Sequence, residues 1–158
     1  MKKTTVGKPI PDIEVVATDE QTVSLSDFLG QNLVLYFYPK DNTPGCTTEG
    51  QDFRDYYEEF RNLKTVILGV SRDSLKSHED FKDKHCFPFD LISDQNEKLC
   101  KLFDVIREKS LYGKKYLGIE RSTFLIDSKG ILHKEYRGVK VDGHVATVLA
   151  DLRKLAKQ

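Results

Sequence analysis

The sequence predicts an α/β fold in which a central mixed β-sheet is flanked by helices, and three observations predict it. Two continuous apolar runs, Asn32 to Tyr38 and Thr65 to Ser71, have the character of strands buried on both faces. The segments between and beyond them carry apolar residues at helical spacing. A strand–turn–strand pattern from Thr123 to Tyr136 then precedes a last amphipathic segment.

After the strand at 32–38, the spacing of Phe53, Tyr56, Tyr57 and Phe60 predicts a helix from about Cys46 to Arg61. The second strand, 65–71, reads "TVILGVS". Asp73 or Ser74 caps a helix to about His85, whose last turn carries Lys82, Lys84 and His85 to complement its dipole. A short strand spans about Phe89 to Ile92. Asp94, with Glu97 three positions on, predicts a capping-box start for a helix through Phe103. Thr123–Ile126, the turn Asp127-Ser128-Lys129-Gly130 and Ile131–Tyr136 form a hairpin. A final helix from about Gly143 buries Val145, Val148, Leu149, Leu152 and Leu155. This succession is that of a thioredoxin-like fold. Its 158 residues suit one domain spanning 1–158 with a core of its own.

Composition narrows the function classes. With 25 basic and 25 acidic side chains the chain has no electrostatic pull toward nucleic acid or an anionic membrane. No apolar run approaches the roughly 20 residues of a membrane span. Met1-Lys2-Lys3 leads into a polar stretch, so no secretory signal is expected. Three cysteines, an odd number in a chain that needs no staple, point to a reducing compartment, the cytoplasm, and to reactive or buried thiols. His78, His85, His133 and His144 form no H-E-x-x-H pair and no C-x-x-C is present, so metal binding is not expected. His144 is expected to be exposed in the first turn of the last helix.

The chemistry concentrates in "YPKDNTPGCTTEG", residues 38–50, where a strand gives way to a helix. Only about 3% of a free cysteine is thiolate at neutral pH, and the thiolate is the nucleophile. Making it mostly thiolate takes on the order of 3 kcal/mol. A helix N-terminus contributes about 0.3 to 1 kcal/mol, and up to ~2 when partly buried. The helix alone falls short, so a cation is required. No Lys, Arg or His lies in the first two turns, Arg54 being the first, so the charge must come from elsewhere in the chain. The residues alone leave Cys46 open between a nucleophile and a small buried hydrophobe after a turn.

Residues 39–49 resemble the Pro-x-x-x-Thr-x-x-Cys motif of the peroxiredoxins, and "YPKDNTPGCT" is similar to the subfamily called bacterioferritin comigratory protein or peroxiredoxin Q. "YGKKYLGIERSTFLID", residues 112–127, resembles the segment that carries that family's active-site arginine. The likeness runs from about Val6 to the C-terminal helix. It implies a thiol peroxidase in which Cys46 attacks hydrogen peroxide or an organic hydroperoxide and becomes a sulfenic acid, with no metal or organic cofactor required. It also implies roles for four other residues. Thr43 would hydrogen-bond thiolate and peroxide, and Arg121 would supply the missing cation. Pro39 would shield the pocket from water and Glu49 would orient the arginine. Thioredoxin, glutaredoxin or glutathione would return the thiol, and the resemblance implies a monomer.

The sequence departs from the pattern at the resolving thiol. Many members of the subfamily have a cysteine five residues after the peroxidatic one; here that residue is Gln51. Other members resolve through a later helix, at a position nearer Lys82 than Cys86. Cys86 is therefore the resolving candidate without matching the motif, and a one-cysteine cycle is the alternative. Cys100, beside Leu99 and three residues before Phe103, reads as core. The stretch Ile106 to Gly118 lacks periodicity and reads as a solvated loop. By resemblance it lies at the pocket mouth, with Leu111, Tyr112, Tyr116 and Leu117 facing the organic group of a hydroperoxide. Two other readings, a general thiol-disulfide oxidoreductase and a non-enzymatic holdase or redox sensor, lack a C-x-x-C and an apolar surface stripe respectively.

Overall fold

The structure, a computed structural model, describes residues 3–157. Nine strands and five α-helices are ordered β1 Glu14–Ala17, β2 Gln21–Ser24, β3 Asn32–Phe37, α1 Pro44–Asp55, α2 Tyr57–Asn62, β4 Thr65–Ser71, α3 Leu75–His85, β5 Asp90–Ser93, α4 Lys98–Leu102, β6 Ile106–Leu111, β7 Lys114–Ile119, β8 Ser122–Ile126, β9 Leu132–Arg137 and α5 His144–Ala156. Seven strands form one mixed sheet in the order β2-β1-β5-β4-β3-β8-β9. β3 pairs parallel with β4, and β4 with β5; β8 lies antiparallel to β3. The expected fold class is the observed one.

β3 shows why the sheet has two cores. Successive side chains alternate faces, so Leu33, Leu35 and Phe37 enter one cluster while Val34, Tyr36 and Tyr38 enter the other. The first cluster takes Leu99, Leu102 and Phe103 from α4 and its end. The second takes Phe53, Phe60, Phe81 and the apolar stripe of α5, Val145, Val148, Leu149 and Leu152. Each fully buried large side chain is worth about 1.5–3 kcal/mol.

Several expectations are corrected. The helix expected over 46–61 starts earlier, with Pro44 at its first position. It is broken at Tyr56, whose ψ of 5° leaves helical values, yet Phe53 and Phe60 still meet in one core at 5.8 Å. The capping box at Asp94 does not form. Asp94's amide is already given to the Ser71 carbonyl and Glu97's carboxylate to Arg72, so nothing remains for the reciprocal bond. Asp94 instead accepts from the amides of Leu99 and Cys100, and α4 begins only at Lys98. The loop expected over 106–118 is a two-stranded hairpin, β6–β7, turning at Tyr112 and Gly113, both with positive φ. His144 is buried rather than exposed: its Nε2 lies 2.8 Å from the Thr123 hydroxyl, and the Tyr136 ring packs edge-on against it.

Candidate active site

Cys46 is the third residue of α1 and only 1% exposed. Thr43 is the N-cap in extended conformation, but its hydroxyl does not cap the helix; it donates to the Lys40 carbonyl at 2.8 Å. No side-chain cap therefore closes the start of α1, which leaves the first-turn N–H groups and the positive end of the dipole at Cys46. The expected Thr43 bond to the cysteine is not made in this arrangement. A hydroxyl has one proton, and here the loop uses it. Pro39, half-buried, begins that loop where β3 ends.

The cation missing from the helix arrives from the start of β8, a strand that neighbours β3. Arg121 directly precedes β8, and its guanidinium spans two partners. Nη2 donates to Cys46 Sγ at 3.4 Å and Nη1 to Glu49 Oε1 at 2.7 Å. Gly45 makes the approach possible: a Cβ there would sit 3.1 Å from Arg121 Nη2. Glu49, three residues after Cys46 on α1, is fully buried, and its second oxygen, Oε2, has no partner. Burial pushes its carboxyl up to about 7 against the opposing pull of Arg121. For Arg121 burial works the other way, yet Glu49 and the Cys46 sulfur hold it above its ordinary range, so the guanidinium stays charged.

Two further cations reach this region without having been singled out from sequence. Lys109 Nζ donates to the Ile119 carbonyl at 2.6 Å, two residues before Arg121. Burial, then Arg121, lowers its pKa, with Cys46 pulling the other way. Arg72 donates to the Leu117 carbonyl at 3.1 Å and pairs with Glu97. Both grip the strand that delivers Arg121. Neither carries a sequence signal, since each acts on a backbone carbonyl. In the hairpin register Lys109 faces Tyr116, and Leu111 shares that face, whereas Leu117 pairs with Glu108 on the opposite one.

The other cysteines are not in the pocket. Cys100 is fully buried, and burial followed by the Asp94 carboxylate pushes its thiol up. Cys86 is exposed at the C-cap of α3, in left-handed conformation. Its chain neighbours both touch α1. The His85 carbonyl accepts from Arg54 Nη1 at 2.8 Å, His85 Nδ1 lies 3.4 Å from Gln51 Nε2, and the Phe87 ring covers Gly50.

A buried cysteine at a helix start, faced by a guanidinium that is itself anchored by a buried carboxylate, is the site of a thiol-dependent peroxidase on a thioredoxin-like fold. The family model described as AhpC/TSA matches residues 6–135, and the chain belongs to that family, within its peroxiredoxins. Peroxiredoxin Bcp of Bacillus subtilis (strain 168) is 52% identical over 153 residues, covering 97% of this chain and 98% of that one. Xanthomonas campestris peroxiredoxin Q superposes with a TM-score of 0.87 at 51% identity over 91% of both chains. The bacterioferritin comigratory protein of the same species, solved in trapped intermediate and ligand complexes and described by its alkyl peroxide reduction activity, superposes at 0.87 and 50% identity, covering 91% of this chain and 92% of that one. No helix among the described residues is long and apolar enough to cross a membrane.

Proposed function

We propose that this thiol peroxidase reduces hydrogen peroxide and organic hydroperoxides at Cys46 and regenerates through Cys86. The observation that carries the first step is the Arg121 guanidinium shared between Cys46 Sγ and Glu49. The Cys46 thiolate attacks the terminal oxygen of ROOH; the S–O bond forms as the O–O bond breaks, and the leaving alkoxide takes a proton to become ROH. Arg121 and the amides at the start of α1 meet the charge on the leaving oxygen, each such donor being worth a few kcal/mol. Thr43, whose proton is given to Lys40, presents lone pairs and accepts from the peroxide O–H. Pro39 shields the pocket and Glu49 holds the arginine. Alkyl peroxides are supported as substrates by the activity described for the Xanthomonas campestris relative. Leu111 and Tyr116 share the Lys109 face of the hairpin, which supports assigning them the contact with the peroxide's organic group.

The sulfenic acid on Cys46 then condenses with the Cys86 thiol, releasing water and leaving a disulfide. Cys86 is favoured over Cys100 because it is exposed while Cys100 is buried in the core. Gln51, beside which His85 lies, is five residues and ~7.5 Å along α1 from Cys46. We assign the closure to an unwinding of the first turn of α1, which would bring buried Cys46 out toward exposed Cys86. An external dithiol such as thioredoxin, or glutaredoxin or glutathione, reduces the disulfide. The activity is that of a single-domain monomer spanning the chain, in the cytoplasm.

Reduced protein treated with one equivalent of hydrogen peroxide, with and without a sulfenic-acid trap, tests this by intact and peptide mass. Loss of two hydrogens with a Cys46–Cys86 peptide is the expected result. A trapped sulfenic acid on Cys46 without a disulfide overturns the resolving role and leaves a one-cysteine cycle. An unmodified Cys46 overturns the site itself.

A further inference from the structure

Asp41 and His78 are enclosed beside the loop that enters α1, with side chains 1% and 0% exposed, and the chemistry above gives them no task. His78 Nε2 lies 2.8 Å from the Ile92 carbonyl oxygen, which can only accept, so that nitrogen carries a hydrogen. Its Nδ1 lies 2.8 Å from Asp41 Oδ2, so the two side chains hold one proton between them. Asp41 accepts twice more, from the Tyr38 hydroxyl at 2.7 Å and the Ser77 hydroxyl at 2.8 Å. Its amide donates to Asp73 Oδ2 at 2.9 Å. Asp41, Asp73 and His78 offer the atom types of a cation site within 4.8 Å of one another. The Asp41 and His78 atoms are nevertheless already turned on protein partners, and a shared proton joins them.

Asp41 thus ties the 39–43 loop through its carboxylate to Tyr38 at the end of β3, to α3 and, through His78, to β5, and through its amide to Asp73 just after β4. The helix it grips, α3, presents Cys86 at its far end. We propose that the Asp41–His78 pair is a clamp on the peroxidatic loop, made of two positioning residues. It keeps the start of α1 folded while Cys46 meets peroxide and sets how readily that turn unwinds toward Cys86. The unwinding half rests on the resolving role given to Cys86. The physical reason is the cost of a buried carboxylate short of a donor. Without His78 that cost is relieved by pulling the loop into water, and α1 loses its anchor.

The test compares His78→Leu with His78→Asn, which keeps an N–H near the Nδ1 position, by rapid quench and intact mass after mixing reduced protein with hydrogen peroxide. In the leucine variant sulfenic-acid formation should slow about tenfold and disulfide closure speed up about tenfold. The asparagine variant should recover most of both. Hydrogen exchange of the first-turn amides of α1, among them Thr47, which bonds to the Thr43 carbonyl at 2.9 Å, should quicken in the leucine variant, and equally in a Cys86→Ser background. If no protein forms the disulfide, the Cys86 reading fails and exchange alone decides the clamp. Unchanged exchange, or two steps that slow together, overturns the clamp. Should His78→Leu not fold, Ser77→Ala, which removes one donor to Asp41, is read in the same way with a smaller change.

Discussion

Replacing Glu49 by glutamine should make the protein more stable at alkaline pH while leaving acid stability nearly unchanged. The carboxyl is fully buried, one oxygen has no partner, and burial holds it at about 7, against 4.5 for an ordinary glutamate. The folded state therefore binds this proton more tightly than the unfolded chain does. Raising the pH from 4.5 through 7 strips the proton from the unfolded chain first, so the folded state loses stability across that window. A rise from 4.5 to about 7 is worth roughly 3 kcal/mol in full, of which about 2–3 falls between pH 5 and pH 8. Glutamine keeps an oxygen that can accept from Arg121 Nη1 and does not titrate. Urea unfolding of both reduced proteins at pH 5 and pH 8 gives the double difference directly. The advantage of Glu49→Gln should grow by about 2–3 kcal/mol with pH at unchanged m-value. An advantage that stays flat or shrinks would refute the reasoning, because it would mean that Arg121 holds Glu49 as a settled carboxylate.

Two other perturbations test other parts of the site and its support. Arg121→Met should slow oxidation of Cys46 by hydrogen peroxide on the order of 10²–10³-fold, read by competition with a second peroxidase; an unchanged rate would remove the guanidinium from the reaction. Gly50→Ala should destabilise the protein by about 1–3 kcal/mol in denaturant unfolding, although alanine normally favours a helix interior by ~1 kcal/mol. A Cβ at Gly50 would lie 2.4 Å from Phe87 Cζ, so a gain in stability would contradict that contact.

What the sequence made legible follows from burial. β3 and β4 could be read because both their faces are covered, which leaves an unbroken apolar run. The β6–β7 hairpin could not, because Glu108, Ser110, Leu111 and Lys114 to Leu117 are all exposed and no alternation survives. β1 and β2, four residues each, are too short for a period to register. Cys46, Glu49 and Arg121 were found through two separated motifs, and the structure brings those three into contact. Asp41 stood unremarked inside one of the motifs because its partner, His78, is 37 residues away and has the spacing of an ordinary helix residue. The burial of His144 escaped for a similar reason: its partner Thr123 belongs to a strand.

The seven-stranded sheet does not close on itself, and its two borders carry a consequence for crowding. β2 is four residues long, a short template for a foreign strand. β9 carries Lys134, Glu135 and Arg137; Lys134 reaches Asp151 on α5, and Arg137 reaches the carbonyls of Phe103 and Asp104. A strand from another molecule would meet those charges along β9, and charged side chains on an edge strand are one device by which open sheets resist edge-to-edge polymerisation. A peroxide scavenger acts in proportion to its concentration, and these borders let that concentration rise without the sheet becoming a seed for fibres.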